Sequence, residues 1–185
     1  MATLSAASPL FAQRAASRIS GRIDESNVVT LEGNVHPLAR PDFDRGAVEP
    51  ETRMQRMVLV LAPSAAQQAE LDALTEAQQD PSSPLYHQWI TPAEYGARFG
   101  VSDADLAKIA TWLSSHGFSV EPVGAGRRTL VFSGSAAQVA DAFHTEIHSY
   151  AVRGAMHVAN AQDPQIPAAL APVVNGVLSM HDFRR

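Results

Sequence analysis

Apolar positions follow a strand pattern and then a helix pattern from residue 54 onward. Segment 54–63 holds five consecutive apolar residues and ends at Pro63, which is typical of a central strand with two apolar faces. Segment 64–79 begins with Ser64 and carries Gln67 three residues later, which is the spacing of a capping box. The pattern therefore predicts a strand followed directly by a helix.

Two further helices are indicated by their N-terminal residues. Thr91 and Glu94 have capping-box spacing and open a short helix over 91–100. Ser102 opens a longer helix over 102–117. The remaining predicted elements are strands at 118–123 and 128–134, a helix at 135–143, strands at 145–152 and 155–159, and a last strand within 175–183.

The order of these elements predicts the fold class. With the middle helices taken as one crossover, the chain reads β-α-β-β-α-β up to the strand at 145–152, and 155–159 forms a hairpin arm. This order is that of the split βαβ, an α+β ferredoxin-like sandwich in which an antiparallel sheet carries its helices on one face. We expect residues 53–183 to form this domain.

The N-terminal quarter has a different pattern. Residues 1–26 are rich in Ala and Ser without a sustained period, which is typical of a disordered tail or of the remnant of an export signal. Residues 27–52 are interrupted by proline and glycine, so we expect an extended arm with a short strand at 28–31.

Composition excludes several classes of function. The net charge is −5 and Lys108 is the only lysine, so a basic face for nucleic acid is absent. The chain has no cysteine, which excludes disulfides and thiolate metal sites. No apolar run reaches the roughly 18 residues of a membrane span.

The segment AFHTEIHSY raises the question of a zinc site. His144 and His148 are four residues apart, but Glu146 lies between them, whereas in the zinc-protease pattern the glutamate follows the first histidine. The β-branched and aromatic neighbours favour a strand, in which the three side chains would share one face. Without an obvious third ligand, a solvated polar strand face is favoured over a metal site.

Other motifs have structural explanations. Ser135 follows Gly134 directly, so it fits an N-cap and not a nucleophile elbow. The GAGR segment at 124–127 precedes a strand, as a hairpin turn does. Asp103 and Asp105 occupy the first turn of a helix, where carboxylates favour the dipole, and Asp141 forms no acid–base pair in the sequence. The residues alone therefore predict neither a catalytic nor a cofactor site.

Four long segments resemble a known family in continuous order. They are PLYHQWITPAEYGARFG, SDADLAKIATWLSSHGF, RTLVFSGSAAQVADAFHTEIHSY and HVANAQDPQIPAALAPVVNGVLSMHDF. Together they resemble the activation prodomain of the serine-carboxyl peptidases, the sedolisin or kumamolisin-like family. NVHPLARPDFDRG fits the arm that such precursors carry ahead of the prodomain.

The resemblance implies a binding module and not an enzyme. Such a prodomain assists folding of the peptidase domain and covers its active site until acid triggers processing, and the precursor is secreted. The catalytic Ser, Glu and Asp and a calcium ion belong to the peptidase domain, and no position in this sequence matches them. The chain is then an excised prodomain, a truncated product or a free-standing inhibitor, with no cofactor of its own.

Candidate contact residues follow from the aromatic segment 84–99 and from the histidine segment. Interfaces favour aromatic anchors, although Trp89 and Phe99 would equally suit a core. Seven histidines would add positive charge on acidification, which we expect to weaken binding to the peptidase. The partner-interface candidates are Tyr86, His87, Trp89, Tyr95, Phe99, His144, Glu146 and His148.

Two alternatives remain open at this point. The chain could be a ferredoxin-like regulatory module that binds a small ligand in a pocket with convergent polar groups. It could also be a metal hydrolase that uses His144 and His148, in which case it would bind zinc stoichiometrically.

Overall fold

Three antiparallel sheets and four α-helices occupy residues 15–183, the part of the chain that a computed structural model describes. The strands are β1 (Val28–Thr30), β2 (Asp44–Ala47), β3 (Arg53–Leu61), β4 (Ser119–Val120), β5 (Thr129–Ser135), β6 (Ile147–Val152), β7 (Ala155–Asn160), β8 (Gln165–Pro167) and β9 (Val174–Leu178). The helices are α1 (Ala65–Gln79), α2 (Pro92–Phe99), α3 (Asp103–Ser115) and α4 (Ala136–Phe143), with short 3-10 turns at Pro41–Phe43 and Ala168–Leu170.

The largest sheet has the strand order β4-β5-β3-β9, so β3 is central, as its apolar run predicts. Met57, Leu59 and Leu61 alternate along β3 and are fully buried. They pack in one core cluster with Leu130 and Phe132 of β5. Full burial of a side chain of this size contributes about 1.5–3 kcal/mol, so this face of the sheet accounts for much of the domain's stability.

The predicted helix starts are confirmed. Ser64 with Gln67 and Thr91 with Glu94 form capping boxes in which each partner satisfies a backbone N–H of the other. Ser135 and Gln138 form a third box at the start of α4. Each of these pairs is local in sequence, which is why the chain alone predicts them.

The helices α3 and α4 supply the other half of the core. Ile109 and Leu113 of α3 and Val139 and Phe143 of α4 are all fully buried. They belong to the same cluster as the inner residues of β3 and β5. The fold is therefore α+β, with an antiparallel sheet and packed helices in the ferredoxin-like arrangement.

The prediction that 145–152 is the fourth strand of this sheet is wrong. His144 ends α4 in the left-handed region (φ 50°), and β6 runs instead into a separate sheet of order β2-β6-β7. The buried residues Tyr150 and Val152 pack there against Leu38 and Phe43 of the arm. The fourth strand of the main sheet is β9, which pairs antiparallel with β3.

The arm at 27–52 is extended, and its first strand β1 pairs with β8. The predicted hairpin at 118–134 is present, although β4 pairs with β5 only through Ser119 and Val120. No described helix is long and apolar enough to cross a membrane.

Within residues 15–26, which were predicted to belong to a disordered tail or an export-signal remnant, Ser17, Arg18 and Ile19 contact the domain. Ile19 is 1% exposed and belongs to the main core cluster. The hydroxyl of Ser17 and the N–H groups of Arg18 and Ile19 donate hydrogen bonds to the carboxylate of Asp105, at 2.6 to 3.0 Å. The tail prediction for residues 1–14 lies outside the described residues.

Candidate partner interface and histidine clusters

The face of the main sheet that points away from the core is apolar at its centre. Val58 and Val60 alternate with the buried residues of β3, so their side chains lie on the opposite face. Val58 is directly opposite Val131 of β5 and Leu178 of β9. We call these four residues the valine face. Leu178 is 57% exposed, and the three valines are half-buried, so apolar surface spans three neighbouring strands.

The valine face has a polar boundary on one side. Arg56 lies where the register of β3 shifts, with φ 53°, and its N–H donates to the hydroxyl of Ser133. Its guanidinium pairs with Glu121 at 2.5 Å. Exposed pairs of this kind contribute about 0–1 kcal/mol, so this one orients the boundary more than it stabilises the fold. An apolar centre with a polar rim is the usual anatomy of a protein interface.

The loop between α1 and α2 carries a second exposed cluster. The ring of Tyr86 stacks on His87 with centroids 3.8 Å apart, and His87 lies 5.9 Å from Trp89. Trp89 is 69% exposed. We call these three residues the aromatic stack. The structure thus brings three of the predicted interface residues together at the surface.

Backbone contacts fix the shape of this loop. His87 has a left-handed conformation (φ 56°), and its N–H donates to the carbonyl of Gln78 at 3.0 Å. The buried side-chain amide of Gln78 donates in return to the carbonyl of Gln88. A left-handed non-glycine residue costs roughly 1 kcal/mol, which the surrounding contacts offset. These bonds fix the backbone of the loop that carries the aromatic stack.

Tyr95 and Phe99, the other aromatic candidates, face inward from α2. Phe99 is fully buried, and its ring is 5.4 Å from that of Tyr95. The hydroxyl of Tyr95 accepts a hydrogen bond from Nη1 of Arg128 at 3.0 Å. Phe99 is therefore a core residue, and the expectation that it anchors a partner is corrected by its burial.

The two histidines of HTEIH have different environments. His148 on β6 places Nδ1 2.8 Å from Asp44 and Nε2 3.1 Å from Glu146. His144 is exposed and ends α4, so the expectation that it shares a strand face with Glu146 and His148 is wrong. Among residues 15–183, no group of three His, Asp or Glu side chains is arranged to hold a metal ion.

An ion pair between His148 of β6 and Asp44 of β2 joins the arm to the second sheet. Burial by itself would lower the pKa of His148, but hydrogen bonds and attraction from Asp44 and Glu146 outweigh it and raise the pKa above its ordinary value. The pKa of Asp44 is lowered: burial opposes the shift, while the N–H of Gly46 and the His148 ring favour the carboxylate. The pair is therefore ionised over a wide range of pH.

A second cluster of the same design was missed by sequence reasoning. His116, at the end of α3, places Nδ1 2.7 Å from Asp141 of α4 and Nε2 2.9 Å from Glu25 of the N-terminal segment. Burial opposes protonation, but the two carboxylates raise the pKa of His116. A histidine at a helix C-terminus is a weak local sign, and nothing in the sequence indicates the two distant partners.

The role of Asp105 was also missed. Its N–H is bonded to the Ser102 hydroxyl at the N-cap, as predicted, but its carboxylate is turned toward the N-terminal segment. Burial would raise the pKa of Asp105, whereas the donors of Ser17, Arg18 and Ile19 lower it. The carboxylate is an anchor for the N-terminal segment, and not only a favourable charge at the helix start.

Comparison with known proteins identifies relatives of this chain by sequence. The chain is 24% identical over 160 residues to xanthomonalisin of Xanthomonas sp. (strain T-22), covering 85% of the chain and 19% of that protein. It is 25% identical over 118 residues to sedolisin of Pseudomonas sp. (strain 101), covering 64% of the chain and 20% of that protein. The chain thus spans about one fifth of the length of these curated relatives. Residues 43–183 match the family described as Pro-kumamolisin, activation domain, and the chain belongs to that family.

Proposed function

We propose that this chain binds and inhibits the catalytic domain of a sedolisin-type serine-carboxyl peptidase and assists its folding. The valine face is the observation that carries the proposal. Four apolar side chains on three strands lie beside a polar rim; Leu178 is 57% exposed and the three valines are partly exposed. Membership of an activation-domain family supports a peptidase catalytic domain as the partner.

The proposed mechanism is steric and thermodynamic. A catalytic domain that packs an apolar surface against the valine face removes Val58, Val131 and Leu178 from water, which favours association. The same bound surface offers a template during folding, because any ligand that binds only the folded state stabilises that state. The chain binds in this scheme, while the peptidase performs the chemistry and holds the calcium ion.

The aromatic stack is proposed as a second contact. Tyrosine and tryptophan supply large contact areas at small entropic cost, and hot spots are enriched in them. The ring of Trp89 is 69% exposed and lies 5.9 Å from that of His87, so a partner can contact it. In the histidine segment, the side chains of His144 and Glu146 are exposed and available to a partner, whereas His148 is half-buried between Asp44 and Glu146.

We also propose that acid releases the chain from the peptidase. Not all seven histidines can contribute to this release. His116 and His148 have raised pKa values, so they gain their protons early as the pH falls and then strengthen their ion pairs. They hold the domain together in mild acid. Release must therefore depend on other groups, including interface carboxylates that protonate near pH of about 4. The site of action is proposed to be extracellular, as for secreted peptidases.

Inhibition of the catalytic domains of sedolisin and xanthomonalisin tests the proposal. Leu178→Asp, on the valine face, should weaken inhibition at neutral pH by about tenfold to a hundredfold, because a charge is desolvated in an apolar contact. Met156→Asp is the matched control, since Met156 is 59% exposed on another sheet against 57% for Leu178. Equal inhibition by both variants would place the contact elsewhere. Failure of the folded wild-type chain to bind either peptidase would favour the regulatory, ligand-binding alternative.

A further inference from the structure

Four aromatic rings meet where the described chain ends. The ring of Phe183 stacks on His36 of the arm, with centroids 4.3 Å apart, and on His157 of β7 at 4.5 Å. His181 lies 4.5 Å from His36. We call these four residues the histidine clasp. It joins the arm, the second sheet and the segment that follows β9.

Hydrogen bonds fasten the same segment to β7. The N–H of Asp182 donates to the carbonyl of Val158 at 3.1 Å, and a carboxylate oxygen of Asp182 accepts from the N–H of Val158 at 2.9 Å. The same oxygen lies 3.2 Å from Nδ1 of His157. Segment 179–183 is therefore held by two backbone-directed bonds and by ring stacking.

Two of the histidines fit this arrangement as neutral rings. Nδ1 of His36 accepts the N–H of Leu38 at 3.2 Å, which requires an unprotonated nitrogen. Nδ1 of His181 is buried and has no hydrogen-bond partner within residues 15–183. Burial lowers the pKa of His181, and the neighbouring His36 lowers it further, against the opposing attraction of Asp182. A proton on either ring would cost a bond or bury an unpaired donor.

The charged groups around the clasp are mostly cationic. Arg53 and Arg56 of β3 line the same surface groove as His181, Asp182 and Phe183. Asp182 is the carboxylate of that groove, and it already has His157 and the N–H of Val158 as partners. The contact between His157 and Asp182 opposes opening. A charge on His181 would add to those of Arg53 and Arg56, and Asp182 is the one carboxylate among the described residues that line this groove.

We propose that the histidine clasp is an acid-opened latch, in which protonation of the buried His181 ring separates it from His36 and frees segment 179–183 from β7. The segment follows directly on β9, whose Leu178 belongs to the valine face. Opening the latch would loosen that edge of the face. The consequence for peptidase release rests on the proposed function, whereas the latch itself is a property of the chain alone.

Hydrogen–deuterium exchange of the isolated 185-residue chain tests the latch directly. Between about pH 7.5 and about pH 5, across the histidine range, we expect the amides of Val158 and Asp182 to exchange at least about tenfold faster after correction for the intrinsic rate. Burial of an unpaired donor on His181 accounts for an effect of that order. Unchanged protection of both amides across this range would overturn the proposal.

Variants assign the effect to the two rings. His181→Gln and His36→Asn should each reduce the pH-dependent gain in exchange, while His87→Gln, at an exposed histidine outside the clasp, should leave it intact. Far-UV circular dichroism checks that each variant is folded. If one clasp variant does not fold, the other is enough for the test. A gain as large in both clasp variants as in the wild type would overturn the assignment. No peptidase is present, so failure of the latch and failure of the proposed inhibition are distinguishable.

Discussion

The carboxylate of Asp105 holds the main chain at Ile19, whose N–H donates to it at 3.0 Å while the Ile19 side chain is 1% exposed. Asp105 also accepts bonds from Ser17 and from the N–H of Arg18. One acidic residue in the first turn of α3 therefore orders a segment 86 residues away in sequence.

Replacement of Asp105 should destabilise the domain through this anchor. We expect Asp105→Ala to lower the free energy of unfolding by about 1–3 kcal/mol, because it leaves buried donors unpaired. Urea denaturation at neutral pH measures the change. Asp103→Ala is the matched control, since within residues 15–183 its exposed carboxylate bonds only the guanidinium of Arg127. Equal denaturation midpoints for the two variants would show that the anchor does not contribute to the free energy of unfolding.

The same anchor predicts a pH dependence. Because the folded pKa of Asp105 is lowered, its contribution is present above the unfolded value near pH of about 3.9 and is lost as the pH falls through the folded pKa. The difference between wild type and Asp105→Ala should therefore shrink in strong acid. A constant difference down to that range would contradict the assignment.

His148 should have the opposite dependence. Its folded pKa is raised, so its contribution is fully present below about pH 6.5 and is lost as the pH rises through the folded pKa. We expect His148→Gln to cost up to about 1 kcal/mol in mild acid and less at alkaline pH, as measured by urea denaturation across pH. His144→Gln, four residues earlier and exposed, should show no such trend. A larger cost at alkaline pH would refute the ion-pair account.

Trp89 offers a direct report on the proposed second contact. Trp112 is 3% exposed and Trp89 is 69% exposed, so in a Trp112→Phe background the emission comes from the aromatic stack alone. Binding of a sedolisin catalytic domain should shift this emission to shorter wavelength and reduce acrylamide quenching. Trp89→Ala should weaken binding by about tenfold or more, whereas Val123→Ala, also exposed, should not. Emission that does not change in the complex would remove the stack from the interface.

Gly96 is required by packing and not by helix propensity. An alanine Cβ at this position of α2 would lie 1.9 Å from the carbonyl oxygen of Ala125. Alanine would gain about 1 kcal/mol in a helix, but the backbone clash dominates, and we expect a net loss of about 1–3 kcal/mol. Thermal denaturation of Gly96→Ala measures this loss. Gly124→Ala has open space around it and should change the midpoint little.

Local signals in the sequence determined the helix starts and the central strand. Ser64 with Gln67 and Thr91 with Glu94 satisfy each other's backbone groups within one turn, so their pairing needs no other part of the chain. The uninterrupted apolar run of β3 likewise requires neighbours on both sides, whichever strands they are. The family resemblance draws on the same local segments and was confirmed over residues 43–183.

Only the tertiary structure decided which strands and charges meet. The assignment of 145–152 to the main sheet failed because strand propensity does not identify a partner, and β9 has the complementary inner residues Val174 and Val177. The His116 cluster joins residues 25 and 91 positions apart, and the histidine clasp joins His36 to Phe183. Such contacts depend on how three sheets are placed together, and no short-range pattern encodes that placement.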